Sequence, residues 1–207
     1  NVFAAASDLF DELDPFTVSC AEISSISKRG DRLIGRAKDP LTVDLALNDF
    51  LPADHFARTG AEVVILGAGG SGTALSWALA ERADAPAKVT VTSRDDDALA
   101  HLREVHRQHG TPEGLLSYAR TDTVQEAAAI VASAPAGSLI VNATGLGKDR
   151  PGSPLPDDVV FPEGAWVWEL NYRGSLEFLH QARAQHAERG LHAVDGWRYF
   201  IHGWSQV

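Results

Sequence analysis

Glu62-Val63-Val64-Ile65-Leu66-Gly67-Ala68-Gly69-Gly70-Ser71-Gly72 runs from an unbroken apolar stretch into a glycine cluster, and the helix-forming residues Thr73-Ala74-Leu75-Ser76-Trp77-Ala78-Leu79-Ala80 follow at once. An apolar run without polar alternation suits a parallel strand covered on both faces. A glycine cluster between such a strand and a helix is the setting that a dinucleotide-binding turn requires. Gly67 would allow the tight turn, and Gly69, next to Ala68, would let backbone approach a pyrophosphate. The amides around Gly70, Ser71 and Gly72 would then point at phosphates from the positive end of the helix. The alternative is a glycine-rich structural turn that binds nothing.

Downstream the same texture repeats. Lys88-Val89-Thr90-Val91-Thr92 predicts a second strand and residues 96–108 a helix. Residues 115–119 predict a weaker strand, 123–133 a helix, and Ser138-Leu139-Ile140-Val141-Asn142 another strand. Residues 165–170, 175–189 and 197–205 predict a strand, a helix and a short last helix, and prolines punctuate the loop between Lys148 and Pro156. Upstream, residues 4–13 predict a helix stopped by Asp14-Pro15. A strand–turn–strand is predicted from Thr17 to Gly35 about Arg29-Gly30-Asp31, then a helix over 41–51 closed by Pro52. Strands alternating with helices of about ten or more residues predict an α/β chain with a Rossmann-type doubly wound parallel sheet.

The totals narrow the partners. A formal net charge of −10 over 207 residues argues against nucleic acid, whose phosphates would be repelled. No apolar run approaches the ~18 residues that cross a bilayer. The first residues lack the basic and apolar regions of a secretory signal, so a cytoplasmic location is expected. The single Cys20 fits a reducing compartment. His180, His186 and His192 are not spaced to converge on a metal, and none is expected.

The second strand ends Thr92-Ser93-Arg94. An NAD site commonly places a carboxylate on the ribose diol there, whereas an NADP site offers arginine to the 2′-phosphate. Arg94 favours NADP, with NAD left open because Asp95, Asp96 and Asp97 follow. Those three carboxylates also suit the cap and first turn of the next helix.

Several segments, in order and spacing over nearly all of the chain, resemble the shikimate dehydrogenase family, which includes the quinate dehydrogenases. They are Asp11-Glu12-Leu13-Asp14-Pro15, Gly30-Asp31-Arg32-Leu33-Ile34-Gly35, the Val64–Gly72 loop, and Ser93-Arg94 where the family has Asn-Arg. The most specific is Val141-Asn142-Ala143-Thr144-Gly145-Leu146-Gly147, followed by Ser153-Pro154-Leu155-Pro156. Tyr172, and Asp195-Gly196 before the last helix, complete the set. The family has a methionine after the Asn-Ala-Thr-x-Leu-Gly run and another in the last helix. This chain contains no methionine and passes directly from Gly147 to Lys148 and from Arg198 to Tyr199.

The resemblance implies an NADP(H)-dependent oxidoreductase that interconverts 3-dehydroshikimate, or a related cyclic keto acid, and the hydroxy acid, as a monomer or homodimer in aromatic amino acid biosynthesis. It implies three parts: residues 1–40 ending a smaller α/β substrate-binding domain, 41–190 forming the nucleotide domain, and 191–207 giving a helix that returns to the first. By the same resemblance Asn142, Ala143, Thr144, Gly145, Leu146 and Gly196 join the cofactor residues. Ser24, Asp39, Tyr172 and His202 become substrate residues, His202 once one residue is restored after Arg198. Asp39 aligns with the aspartate of the family's Lys–Asp proton-transfer pair, although Asp39-Pro40 equally suits the start of a helix. The paired lysine has no counterpart at its register, about Phe3; Lys38 is a nearby but less specific candidate. Ser24 and Ala37 stand where the family uses asparagine amides, which puts the substrate in question. A non-catalytic dinucleotide-binding sensor or partner-binding paralogue is the alternative.

Overall fold

The computed structural model describes residues 2–148 and 150–206. The chain opens with α1 (Val2–Ala6), a 3-10 turn over Ser7–Leu9, β1 (Glu12–Leu13) and α2 (Pro15–Cys20). Residues 4–13 therefore do not form one helix, and Thr17–Cys20 are helical where an extended strand is expected. Asp14 is the cause. Its carboxylate accepts the Thr17 N–H at 2.7 Å, with Pro15 in the first helical position, so Asp14 starts a helix instead of ending one. Its other oxygen accepts the Ala37 N–H, and Asp11 accepts the Leu33 N–H, which draws residues 11–14 alongside a neighbouring strand.

That neighbour belongs to the expected hairpin, β2 (Ser25–Arg29) and β3 (Arg32–Arg36), turned at Gly30. With β1 parallel to β3 the order is β1-β3-β2. Then follow α3 (Asp39–Phe50) and a short α4 (His55–Thr59) that no periodicity announces.

The second sheet is built from β4 (Val63–Leu66), α5 (Gly70–Glu81), β5 (Val89–Ser93), α6 (Asp96–His109), β6 (Leu116–Arg120), α7 (Val124–Ser133), β7 (Leu139–Asn142) and β8 (Trp166–Glu169). It closes with α8 (Glu177–Ala184), α9 (His186–Arg189), β9 (His192–Val194) and α10 (Trp197–Ser205). The predicted helix over 175–189 is divided at Gln185, whose side chain is tied to Phe161 N–H and Val159 O. Strand β9 is too short to show a pattern in the sequence, and it carries the sheet past residue 190.

All six strands are parallel, in the order β6-β5-β4-β7-β8-β9. This is the doubly wound Rossmann arrangement that the sequence predicts. Alternate residues of β4 divide between two cores: Val63 and Ile65 pack with α3 and α5, Val64 and Leu66 with α7 and α8. The chain winds outward from β4 through β5 to β6 and then crosses to β7 on the other side of β4, so a crevice opens beyond the carboxyl ends of β4 and β7, where such sheets bind ligands.

His106 makes the α5–α6 packing pH-sensitive. It is buried, with Nε2 at 2.9 Å from Ser76 Oγ and Nδ1 at 2.9 Å from Thr111 Oγ1. Burial, and then the nearby His109, push its pKa from 6.5 down to about 4. The folded value lies below the unfolded one, so stability present above pH 6.5 is lost as pH falls towards 4. Thermal melts at neutral pH and near pH ~4.5 should show a smaller acid loss in His106→Gln than in the wild type. Equal losses would remove His106 from the account.

Candidate functional site

The glycine turn is shaped by what surrounds it. Gly67 has φ +111°, and a Cβ there would lie 2.8 Å from the Ala143 carbonyl oxygen. A Cβ on Gly72 would run into the Gly67 carbonyl, so α5 can sit this close to β4 only with glycine at 72. Gly69 is different, because a Cβ there would meet nothing within 4 Å. The backbone at Gly69 borders open space, and α5 begins there with no side chain capping its first amides. Unpaired first-turn N–H groups facing an opening form an anion site of the kind a pyrophosphate fills.

Beside this turn, the loop after β7 is held by one side chain. Asn142 is fully buried; its Oδ1 accepts Thr144 N–H and Thr144 Oγ1–H, and its Nδ2 donates to Leu146 O and Glu169 Oε2. Glu169 Oε1 accepts the Asn171 N–H, and the Asn171 amide returns to Leu146 O. Burial pushes the Glu169 carboxyl up to about 7, against the hydrogen bonds from Asn171 and Asn142. Sequence reasoning did not single out Glu169 or Asn171. The signal was available: a carboxylate inside the apolar strand Trp166-Val167-Trp168-Glu169-Leu170 must be paired to be buried.

Two clefts meet over this loop. The larger, of about 610 Å³, gathers Ser24 and Asp39 from the first sheet's side, Gly70 and Ser71 from the glycine turn, Ala143, Thr144 and Gly145 from the loop, and Tyr172. Lys38, Lys148, Tyr199 and Phe200 also line it. The smaller, of about 350 Å³, runs over Gly67, Ala68 and Gly69 to Ser93, Arg94 and Leu146. Ala143 and Thr144 line both, so one extended ligand could pass from one to the other. Arg94 is exposed at the far end, and among the described residues its guanidinium makes no hydrogen bond or ion pair. Asp95 is turned away as the helix cap, accepting from Asp97 N and Ala98 N, while Asp96 pairs with Arg120.

Four expected site residues lie off both clefts. Asn142 is beneath the loop, and Gly72 is spent on helix packing. Gly196 fits against the Leu170 carbonyl, where no side chain could go. His202 bonds Asp49 of α3 at 2.8 Å, and Gly203 and Trp204 of the same helix reach the larger cleft.

Asp39 does not cap α3. The cap position is Lys38, whose N–H donates to Ser24 Oγ at 2.7 Å. The Asp39 carboxyl lies instead beside Glu22 and Ser24, and burial raises its pKa. Glu22, which the sequence did not single out, is raised to about 7 by burial and then by Asp39. Tyr199 lies beside Ser71, and burial raises its phenol.

Two contrasts test this geometry. Gly72→Ala should lose about 3 kcal/mol, the upper range for ordinary substitutions, whereas Gly69→Ala should melt like the wild type but bind dinucleotide more weakly. Chemical denaturation and a binding titration separate them; equal stability losses would contradict the packing given to Gly72. Glu169→Leu deprives two buried donors of an acceptor, at about 1–3 kcal/mol each, and should unfold at lower denaturant than Glu169→Gln.

No protein-family model matches the chain. A curated relative, the shikimate dehydrogenase (NADP(+)) of Streptococcus gordonii, is 31% identical over 190 residues, 90% of this chain and 60% of that protein. The Thermus thermophilus shikimate 5-dehydrogenase, solved in complex with NADP(H) and shikimate, superposes with a TM-score of 0.71 at 27% identity, over 96% of this chain and 65% of that one. The Corynebacterium glutamicum quinate dehydrogenase in complex with NAD gives 0.74 at 22% identity over 96% and 65%, a likeness of fold. The chain thus spans about 60% of the length of that curated relative and 65% of these two structures. Over the length that it spans, the chain belongs to the shikimate dehydrogenase family.

Proposed function

We propose that the chain forms the dinucleotide-binding part and one wall of the catalytic cleft of an NADP(H)-dependent oxidoreductase that interconverts a cyclic keto acid and its hydroxy acid. 3-Dehydroshikimate and shikimate are the first pair to test. The observation that carries this reading is the continuity of the two clefts through Ala143 and Thr144, which joins the free guanidinium of Arg94 to the carboxyl of Asp39.

The nicotinamide, when bound, supplies or accepts a hydride. The chain's own residues supply the rest. First-turn amides of α5 would hold phosphate, Ser93 and Arg94 would take the ribose 2′-phosphate, and residues 143–146 would wall the reacting end. Lys38 and Lys148 give the larger cleft positive charge suited to a carboxylate substrate. Asp39, with Ser24 beside it, handles the proton at the carbonyl oxygen. Residues 1–40 would complete a substrate-binding domain, 41–190 the nucleotide domain, and 191–207 the returning helix. The protein would act in the cytoplasm as a monomer or homodimer, with no nucleic-acid partner.

The rival, a non-catalytic dinucleotide sensor, draws on Ala37. Its side chain packs against the core and offers no amide to a polyol.

Turnover separates the two. Shikimate, quinate or aminoshikimate is mixed with NADP or NAD, and absorbance of the reduced nicotinamide is followed. Dinucleotide binding without turnover on any pair favours the sensor. Arg94→Ala should weaken NADP by about tenfold to a hundredfold, the loss expected for charged hydrogen bonds, and leave NAD within about twofold. Equal losses for both dinucleotides would refute the role of Arg94.

A further inference from the structure

The larger cleft has a cation whose side chain and backbone are both seated. Lys148 follows the loop 142–147 and lines the cleft together with Tyr172. Its ammonium lies 5.2 Å from the centre of the Tyr172 ring, a cation–π distance. That ring is itself fixed: Phe200 of α10 stacks on it with centroids 4.0 Å apart, and Trp197 stands 5.4 Å from Phe200. The backbone of the lysine is held as well. Gly147 O accepts the Leu176 N–H at 3.1 Å, and Leu146 O takes amide hydrogens from both Asn142 and Asn171. A Cβ on Gly174 would lie 2.6 Å from the Lys148 carbonyl oxygen and 2.8 Å from its Cα. Glycine at 174, with φ +99°, therefore lets the chain before α8 close on the Lys148 peptide.

We propose that Lys148 is a specificity-determining residue, whose ammonium pairs with the carboxylate of the cyclic substrate and sets acids apart from neutral rings of the same shape. The proposal rests on the oxidoreductase reading above and gives the acid group of that substrate a recognition residue. A freely moving lysine loses rotamer freedom when it pairs, which offsets much of the attraction. Here the residue is already half-buried and its ammonium already rests on an aromatic ring, so less freedom is lost on binding. The ring quadrupole attracts the ammonium without neutralising it, and the full charge stays available to an anion.

The charges around Lys148 agree with this role. Arg173 stands 6.0 Å from the same Tyr172 ring and is exposed, which adds positive charge at this end of the cleft. The Glu177 carboxylate, packed under the same turn, is occupied with the Gly152 N–H. Asp39 enters the cleft from α3, a different element, and an ionised acid group set beside its carboxyl would be disfavoured. Lys148 therefore orients the ring as well as holding it, leaving the carbonyl for Asp39. Lys38 lines the same cleft, but what the structure fixes there is its backbone, through the N–H given to Ser24.

The test uses the full chain, with shikimate as the acid and its methyl ester as the neutral ring. Calorimetric titration in the presence of NADP reads affinity without turnover. The wild type should bind the acid at least about tenfold more tightly than the ester, the scale of a charged hydrogen bond. Added salt should weaken the acid alone. Lys148→Met should bring the two affinities within about threefold of each other, and Lys148→Arg should restore most of the difference. Lys88→Ala, which removes an exposed charge outside both clefts, should leave the difference in place. A wild type that binds the ester as tightly as the acid, or binds no acid, overturns the proposal. So does a difference that survives Lys148→Met, or one that is lost with Lys38→Met instead. A Lys148→Met protein that loses NADP affinity to the same extent without substrate places the lysine on the cofactor and also overturns it. If discrimination follows Lys148 while neither ring is turned over, the oxidoreductase reading fails and the recognition role stands. If acid and ester are turned over with equal KM, that reading stands and the role of Lys148 falls.

Discussion

The contact between Gly67 and the Ala143–Thr144 backbone is the constraint on which the site depends. Strands β4 and β7 are neighbours, and their outgoing loops must part to leave a crevice yet stay close enough to share a ligand. A side chain at 67 would drive the loops apart at the point where the two clefts meet. With glycine there, the turn into α5 and the loop 142–147 pack backbone to backbone. Everything that lines either cleft is then referred to one rigid junction. Asn142 secures the other side by using all its hydrogen-bonding capacity within the loop and on Glu169.

This explains why so much of the fold was legible. Strands β4 and β7 are nearly continuous apolar runs, β5 alternates valine with threonine, and α6 carries its cap and apolar stripe in plain order. Their identity follows from local chemistry that tertiary contacts do not overrule. Residues 4–20 were misread because Asp14 reads as a helix stop, whereas its partners Thr17 and Ala37 show it to be a helix start, and Ala37 is distant in sequence. Strand β9 and the break at Gln185 are likewise set by contacts with remote backbone. The site followed the same division. Glycines and the Asn142–Gly147 loop carry their meaning locally, but Glu22 becomes interesting only when folding sets it beside Asp39 and Gly70.

Net charge also misleads unless it is resolved in space. A chain at −10 presents Lys38 and Lys148 in one cleft and an uncommitted Arg94 in the other. The carboxylates nearest Arg94 are occupied elsewhere, Asp95 on helix amides and Asp96 on Arg120. A ligand anion therefore meets cations lining both clefts, while the rest of the surface repels large polyanions.

Two carboxyls with similarly raised pKa values occupy opposite sides of this junction, and their surroundings give them different work. Glu169 has both oxygens satisfied by donors from Asn142 and Asn171, so its ionisation state is tied to the loop's geometry and can change only if the loop does. Glu22 has one oxygen bare of partners, Asp39 as a like-charged neighbour, and a cavity at its back. A satisfied buried acid is a strut, since moving its proton breaks bonds that hold backbone in place. An acid with a bare oxygen holds no backbone in this way. The glycine at 70 is what permits the second arrangement, for any side chain there would press on the carboxyl and close the space it occupies.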